Sequence, residues 1–236
     1  MGKFETFEVE GLEEAMENNI DADDIESSSP YICGLVVDAS GSMYKYDDQN
    51  SGEMSACLHN FVSAVINAKQ GDEMLVSKTT FSDSVELGGY VAPADLDCDF
   101  IADGMTSLYD AIVGSAKLLL NYMKQITTAG TTPCGASIVI LSDGQDNASR
   151  ANINDAVTAI SELRKNEVKV AFIPFGDEAK GIAQSLGIKD GDILETKNDP
   201  HALREALRIV SKSAISASKL SHNGASFSAN AGFFDV

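Results

Sequence analysis

Five oxygen-bearing side chains stand where the apolar pattern of a strand or helix is interrupted. They comprise two carboxylates and three hydroxyls, contributed by Asp38, Ser40, Ser42, Thr106 and Asp143. Hard oxygen ligands of this kind suit Mg²⁺, Mn²⁺ or Ca²⁺ and do not suit zinc. Because Mg²⁺ takes about six oxygen ligands, five protein groups leave at least one ligand position open. The residue types therefore predict a divalent cation site that can accept an oxygen from outside the chain.

A second interpretation of the D-x-S-x-S segment, residues 38–42, is a serine-rich turn whose side chains bond their own backbone. That interpretation accounts for one loop and leaves Thr106 and Asp143 unexplained. The convergence of three separate loops on one ion accounts for all of them, and it is the hypothesis that we adopt.

Two other groups of acidic residues offer weaker patterns. Asp47 and Asp48 lie close to the D-x-S-x-S segment and could supply a second ion, although hydrated loop residues are the favoured interpretation. The alternating acids at 95–99 resemble the start of an EF-hand loop. That match fails because Phe100 and Thr106 replace the required glycine and final acid, so a solvated loop is expected.

Strand-like and helix-like segments alternate between residues 31 and 213. Continuous apolar runs, typical of strands buried on both faces, occupy residues 31–37, 136–142 and 168–175. Further strands are predicted at 73–81, 84–92 and 191–196, the first two joined by a tight turn. Helices are predicted at 53–69, 107–126, 152–166, 178–187 and from Asp199-Pro200 onward. This alternation predicts a doubly wound α/β fold with a mostly parallel sheet, one antiparallel edge strand and helices on both faces.

The predicted fold brings the candidate ligands to one edge of the sheet. Binding sites in such sheets form beyond the carboxyl ends of the strands. Asp38 follows the first strand and Asp143 follows the strand at 136–142, so their carboxylates should share that edge. Thr106 lies in a loop just before a helix, where its hydroxyl could join them.

Composition divides the chain into three parts. Residues 1–30 contain ten acidic side chains and one lysine, and they predict an acidic segment with a short amphipathic helix followed by a linker. Residues 31–213 carry the α/β pattern. Residues 214–236 form a Ser/Ala-rich C-terminal tail, and the chain is expected to be flexible from residue 211 onward.

The formal net charge of −19 argues against nucleic acid and anionic membranes as partners, because there is no basic patch to release phosphate counterions. The first 19 residues lack the apolar core of a signal peptide, and no apolar run is long enough to span a membrane. Four scattered cysteines form no C-x-x-C pair. These features predict a cytoplasmic protein in a reducing compartment, and they do not indicate an oligomeric state.

The order of three motifs resembles a known family. D-x-S-x-S at 38–42, a threonine within "GMTSLYDA" and "LSDG" at 141–144 are similar to the metal-ion-dependent adhesion site of von Willebrand factor A (vWA) domains. The stretches "TFSDSVEL" and "VKVAFIPFGD" resemble further strands of that family. The resemblance covers roughly residues 30–213.

The resemblance implies a function as well as a fold. In such domains Ser40, Ser42 and usually Thr106 would bind the ion directly, whereas Asp38 and Asp143 would bind it directly or through water. The open ligand position would take an Asp or Glu carboxylate from a partner protein. The implied function is an intracellular, non-enzymatic protein-binding module, similar to the bacterial tellurium-resistance-associated type and to stress-response adaptors.

Two alternatives remain open at the level of the sequence. The same ion could act as a Lewis acid in a Mg²⁺-dependent hydrolase or phosphotransferase, although no phosphate-binding loop or nucleophile motif is present. Alternatively, the chain could be a structural vWA fold whose metal site is unused.

Overall fold

The fold is described by a computed structural model of residues 7–68, 71, 73–222 and 232–235. Its strands are β1 (Tyr31–Asp38), β2 (Met74–Phe81), β3 (Val85–Leu87), β4 (Gly135–Ser142) and β5 (Lys169–Pro174). They form one sheet in the order β3-β2-β1-β4-β5. The β1, β2, β4 and β5 strands pair in parallel, and only β3 pairs antiparallel, at the edge. This arrangement confirms a mostly parallel sheet with one antiparallel edge strand.

Six helices surround the sheet in the described residues. They are α1 (Leu12–Glu17), α2 (Glu53–Asn67), α3 (Leu108–Thr128), α4 (Ile153–Lys165), α5 (Asp177–Ser185) and α6 (Pro200–His222). The α4 helix begins at the predicted cap, where Asn152 and Asp155 form a capping box. The Asp199 side chain caps α6 by accepting a hydrogen bond from the Ala202 N–H. None of these helices combines the length and the apolar character needed to cross a membrane.

The two faces of β1 bury their side chains against different helices. Ile32 and Val36 join a core with α3 and α4, whereas Cys33, Leu35 and Val37 join a core with α2 and α6. Every residue of β1 is buried, which explains why its sequence is a continuous apolar run and not an alternating one. The sheet is thus covered on both faces, as in a doubly wound fold.

Regular structure continues beyond residue 213, after which the sequence predicted a C-terminal tail. The α6 helix continues to His222, so the prediction of a flexible chain from residue 211 is wrong for residues 211–222. Ala214, Ala217 and Ser218 are buried against the rest of the domain, and small side chains allow this close packing. The remainder of the 214–236 tail is described only at residues 232–235, where Phe233 is fully buried.

The acidic N-terminal segment contains the expected short helix, α1, but its apolar residues pack on the domain. Phe7, Val9 and Leu12 lie against the core that contains α3, and the Asn19 side chain accepts a hydrogen bond from the Tyr90 N–H.

The strand predicted at 191–196 is wrong. A 3₁₀ turn at Asp190–Asp192 is followed only by single bridges to β5 and to the residue after it.

Candidate metal-binding site

Asp38 is the last residue of β1 and its side chain is fully buried. One carboxylate oxygen accepts a hydrogen bond from the Ser40 N–H at 2.9 Å, and the other accepts one from the Ser142 hydroxyl at 2.6 Å. Burial raises the pKa of Asp38, the hydrogen bonds from Ser142 and Ser40 oppose that rise, and the charge of Asp143 adds to it. Asp143 directly follows the last residue of β4, the strand beside β1, so both carboxylates stand at the same edge of the sheet, as expected from their positions at the strand ends.

Ser40 and Ser42 place two hydroxyl oxygens side by side. Their Oγ atoms are 3.0 Å apart, and Ser40 is buried whereas Ser42 is exposed. Two neighbouring ligands of an octahedral Mg²⁺ ion, at bond lengths of about 2.0–2.1 Å, lie about 2.9 Å from each other. In this structure the two hydroxyls hydrogen-bond to each other at 3.0 Å, and the same spacing suits two ligands of one hard cation.

Thr106 is held against the loop that carries Asp143. Its N–H donates to the Asn147 side-chain oxygen at 2.8 Å, and its carbonyl accepts from the N–H groups of Asn147 and Ala148 at 2.9 and 3.0 Å. The Thr106 side chain is 4% exposed, and its hydroxyl makes no hydrogen bond within the described parts of the chain. This hydroxyl therefore remains available as a ligand.

The start of α3 is capped by the same loop that follows β4. The N–H groups of Tyr109 and Asp110 donate to the side chains of Asp146 and Ser149 at 3.1 and 3.0 Å. In return, the Asp110 carboxylate accepts hydrogen bonds from two N–H groups at residues 150 and 151. Because the first N–H groups of a helix lack partners within the helix, this exchange fixes the Thr106 and Asp143 loops to each other.

Backbone hydrogen bonds also join the Thr106 loop to the loop that follows β1. The Gly41 N–H donates to the Gly104 carbonyl at 3.0 Å, and the Asp103 N–H donates to the Ala39 carbonyl at 2.8 Å. Gly104 has a φ of 77°, and an added Cβ would lie 2.3 Å from the Asp83 carboxylate. A glycine is therefore needed where these two loops meet. Together with the contacts to the Asp143 loop, these hydrogen bonds join all three loops along one edge of the sheet.

The structure thus brings the five candidate ligands to the same edge by different means. Asp38, Ser40 and Ser42 are linked directly, Asp143 acts on Asp38 through its charge, and Thr106 is linked through the backbone of its loop. In the described part of the chain, no group of three or more His, Cys, Asp or Glu side chains could hold a metal. Any cation bound at this edge would depend on the hydroxyls, and the donor set fits a hard divalent ion.

Sequence reasoning did not identify two residues that organise this edge. Ser142 donates to Asp38 and also accepts the Gly144 N–H at 3.0 Å, and Asn147 joins two of the loops. The pairing of Val37 with Leu141 places Ser142 beside Asp38, but that signal requires knowing that β1 and β4 are neighbours. Asn147 carries no comparable signal in the sequence.

The expectation of a hydrated Asp47 is wrong. Asp47 is 0% exposed, and one carboxylate oxygen accepts hydrogen bonds from the N–H groups of Gln49 and Asn50 and from the Asn50 side chain. It therefore closes a turn. Asp48 is exposed, as expected, and binds the Ser55 hydroxyl. The acids at 95, 97 and 99 are also exposed, as predicted for a solvated loop.

Three large apolar side chains are exposed on the loops around the site. Tyr44 is 51% exposed, Ile101 is 63% exposed and Met105 is 51% exposed. Tyr44 lies two residues after Ser42, and Met105 directly precedes Thr106. Large apolar side chains exposed close in sequence to candidate ligands are consistent with a surface that contacts another molecule.

Comparison with solved structures finds similar folds at low sequence identity. The pilus adhesin SpaC from Lactobacillus rhamnosus GG is 14% identical with a TM-score of 0.60, over 79% of this chain and 30% of the adhesin. The SpRpn10 VWA domain is 15% identical with a TM-score of 0.51, over 76% of this chain and 94% of that domain. Manganese-loaded Plasmodium vivax TRAP protein is 14% identical with a TM-score of 0.52, over 77% of this chain and 72% of TRAP.

These comparisons establish a vWA-like fold. No protein-family model matches the sequence, and no curated protein sequence matches it. This chain spans about 30% of the length of the pilus adhesin. At such low identities the likeness concerns the fold alone, so the function has to be argued from the side chains of the site.

Proposed function

We propose that this chain is a protein-binding module that holds a divalent cation and binds a partner carboxylate through it. The cation is Mg²⁺, or alternatively Mn²⁺ or Ca²⁺, and its ligands are Asp38, Ser40, Ser42, Thr106 and Asp143. The observation that carries the proposal is the pair of hydroxyls 3.0 Å apart, next to a buried carboxylate that ends β1.

Each ligand has a role that follows from its surroundings. The hydroxyls of Ser40, Ser42 and Thr106 bind the ion directly. Each oxygen of Asp38 accepts one hydrogen bond and keeps a second lone pair, so Asp38 balances the charge of the ion and contacts it directly or through water. Asp143 acts in the same way. A cation bound here offers an open ligand position to an Asp or Glu carboxylate of the partner.

The partner is a protein and not a free carboxylate. Tyr44, Ile101 and Met105 are exposed on the segments that follow β1 and precede α3, and a partner would cover them when its carboxylate reaches the ion. The net charge of −19 repels an acidic partner over about 8–10 Å at ordinary salt concentrations. The partner therefore presents its carboxylate within an otherwise neutral or basic patch.

Calorimetric titration with Mg²⁺ and Mn²⁺ tests whether the ion binds at these residues. A ligand at 100 times its dissociation constant stabilises the folded state by about 2.7 kcal/mol, which for a domain of this size raises the melting temperature by about 5–10 °C. Ser42→Ala should abolish both the heat and the stabilisation. Ser63→Ala, at an exposed position of α2, is the matched control and should leave both unchanged.

The result that would contradict the proposal is a wild-type chain that binds neither ion, which would favour a structural fold with an unused site. The proposal also holds that the chain binds a partner protein and does not catalyse a reaction. Phosphatase and nucleotide-hydrolysis assays with Mg²⁺ test that part, and turnover that is lost in Ser40→Ala would favour the hydrolase alternative.

The cellular setting is also a proposal. All four cysteines are free thiols, which supports a reducing compartment and hence the cytoplasm. A role of the tellurium-resistance-associated type belongs to the same proposal and rests on the resemblance of the motifs. A pull-down from native lysate with Mg²⁺ and with chelator would identify partners that depend on the ion.

A further inference from the structure

A groove of about 390 Å³ lies between α2 and α6, away from the candidate metal ligands. Its floor is formed mainly by apolar or small side chains, contributed by Cys57, Phe61, Ala64, Leu207, Ser211 and Ile215. Burial, together with the nearby charge of Glu53, raises the pKa of the Cys57 thiol to about 12. This thiol therefore stays neutral, and the floor is apolar at physiological pH.

One edge of the groove is positively charged. Arg204, Arg208 and Lys212 follow one another at four-residue intervals along α6, and all three are exposed. At 1.5 Å per helical residue, they extend over about 12 Å. Such a row is unusual in a chain with 36 acidic residues and 17 lysines and arginines.

Two of these cations already have acidic partners within the chain. Arg204 pairs with Glu53 at 2.7 Å, and Arg208 pairs with Glu205. The Arg208 and Glu205 side chains are about half exposed, and exposed ion pairs of this kind contribute little to stability. A partner carboxylate can therefore replace Glu205 at little cost. The Glu53 side chain is only 13% exposed, so a partner would share Arg204 with Glu53 and would not displace it.

The opposite edge of the groove, on α2, has a different chemistry. Asn60 lines that edge, and the residues that α2 contributes to the groove recur at positions 57, 60, 61 and 64, which form one helical face. The groove therefore has an apolar floor, one basic edge and one neutral edge.

We propose that this groove binds an amphipathic helix of a partner protein that carries acidic side chains along one edge of its apolar stripe. An amphipathic helix recognises a groove of this kind by placing side chains at i, i+3, i+4 and i+7 on an apolar floor. Acidic residues at four-residue intervals match the repeat of Arg204, Arg208 and Lys212. A row of three cations over about 12 Å exceeds what a single carboxylate requires, which favours a helix over a small ligand.

The test uses fluorescent 18-residue peptides in buffer with EDTA, so that its outcome is independent of the candidate metal site. A panel of helical peptides carries different apolar stripes with Glu along one edge, and each has a counterpart with Lys in place of Glu. Fluorescence anisotropy measures binding to the full chain. We expect at least one acidic peptide to bind, its Lys counterpart to bind at least tenfold more weakly, and its affinity to fall with added salt.

Variants of the chain then locate the binding. Arg208→Glu/Lys212→Glu should weaken binding of the acidic peptide at least tenfold, and Ala64→Trp should weaken it by filling the floor. Lys124→Glu/Lys165→Glu reverses two charges on α3 and α4, which pack on the other face of the sheet, and should have no comparable effect. Circular dichroism and thermal melting confirm that each variant remains folded.

Three results would overturn the inference. The first is that no acidic peptide in the panel binds more tightly than its Lys counterpart. The second is that binding is unchanged in both Arg208→Glu/Lys212→Glu and Ala64→Trp. The third is concentration-dependent dimerisation in sedimentation velocity that Arg208→Glu abolishes, because this would assign the groove to a second copy of the chain.

Discussion

The Ser142→Ala substitution tests how the candidate metal site is supported. Ser142 is fully buried, and its hydroxyl donates to the Asp38 carboxylate at 2.6 Å while accepting the Gly144 N–H at 3.0 Å. A hydrogen bond to a charged group contributes about 1.5–3 kcal/mol, and a buried N–H left without a partner costs about 1–3 kcal/mol. Since the two losses overlap, we expect the free energy of unfolding to fall by about 2–4 kcal/mol.

Guanidinium unfolding in EDTA measures this loss without any contribution from bound metal. Ser115→Ala is the matched control, because Ser115 is also buried but its hydroxyl has no hydrogen-bond partner within the described residues. That control should leave the free energy of unfolding unchanged or raise it, because it removes a buried hydroxyl that has no partner. Calorimetry of Ser142→Ala should also show a 10–100-fold loss in Mg²⁺ affinity, since Ser142 orients a residue of the site.

Equal stability of Ser142→Ala and Ser115→Ala would refute the reasoning about the hydrogen bonds of Asp38. A large loss of stability with unchanged Mg²⁺ affinity would separate the two effects. It would show that Ser142 supports the fold and that its hydrogen bond to Asp38 is not needed for ion binding.

Three further substitutions or reactions test other parts of the account. Gly144 has a φ of 84°, and an added Cβ would lie 2.7 Å from the Ala179 backbone, so Gly144→Ala should lower the free energy of unfolding by about 2–4 kcal/mol. Gly181→Ala, in an open helical position, is the control and should raise the free energy of unfolding by about 0.5–1 kcal/mol. Equal melting temperatures of the two variants would contradict this prediction. Ala217→Asp should lower the free energy of unfolding by more than about 3 kcal/mol, because Ala217 is buried. Leu220→Asp, at an exposed position of the same helix, should be tolerated. Equal stability of the two variants would mean that α6 ends before residue 217. Burial raises the pKa of Cys134 to about 11, so its alkylation rate should still increase with pH above 9, and a plateau near pH 8.5 would contradict that shift.

The central strands of the sheet were predictable because strands that are buried on both faces have continuous apolar sequences. The β1 and β4 strands are buried on both faces, and their continuous apolar runs fixed their ends to within one residue. The strand predicted at 191–196 failed because only single residues of that segment bridge to the sheet. The end of α6 was missed because the side chains that it buries, such as Ala214 and Ala217, are small and resemble a linker in composition.

The positions of the candidate ligands were predictable only where chain order alone determines them. Residues that directly follow parallel strands must meet at the carboxyl edge of the sheet, which placed Asp38 and Asp143 correctly. The supporting contacts of Ser142 and Asn147 depend on which strands and loops are neighbours, and an isolated sequence does not contain that information. Asp47 was misjudged for the same reason, since only the folded loop shows that it is buried.

The most direct test of the central claim is a crystal of the full chain grown with Mn²⁺, with the ion located by its anomalous scattering. The account predicts one strong peak within bonding distance of the hydroxyls of Ser40, Ser42 and Thr106. A peak elsewhere, or density in which Thr106 lies too far from the two serines to share an ion with them, would contradict it.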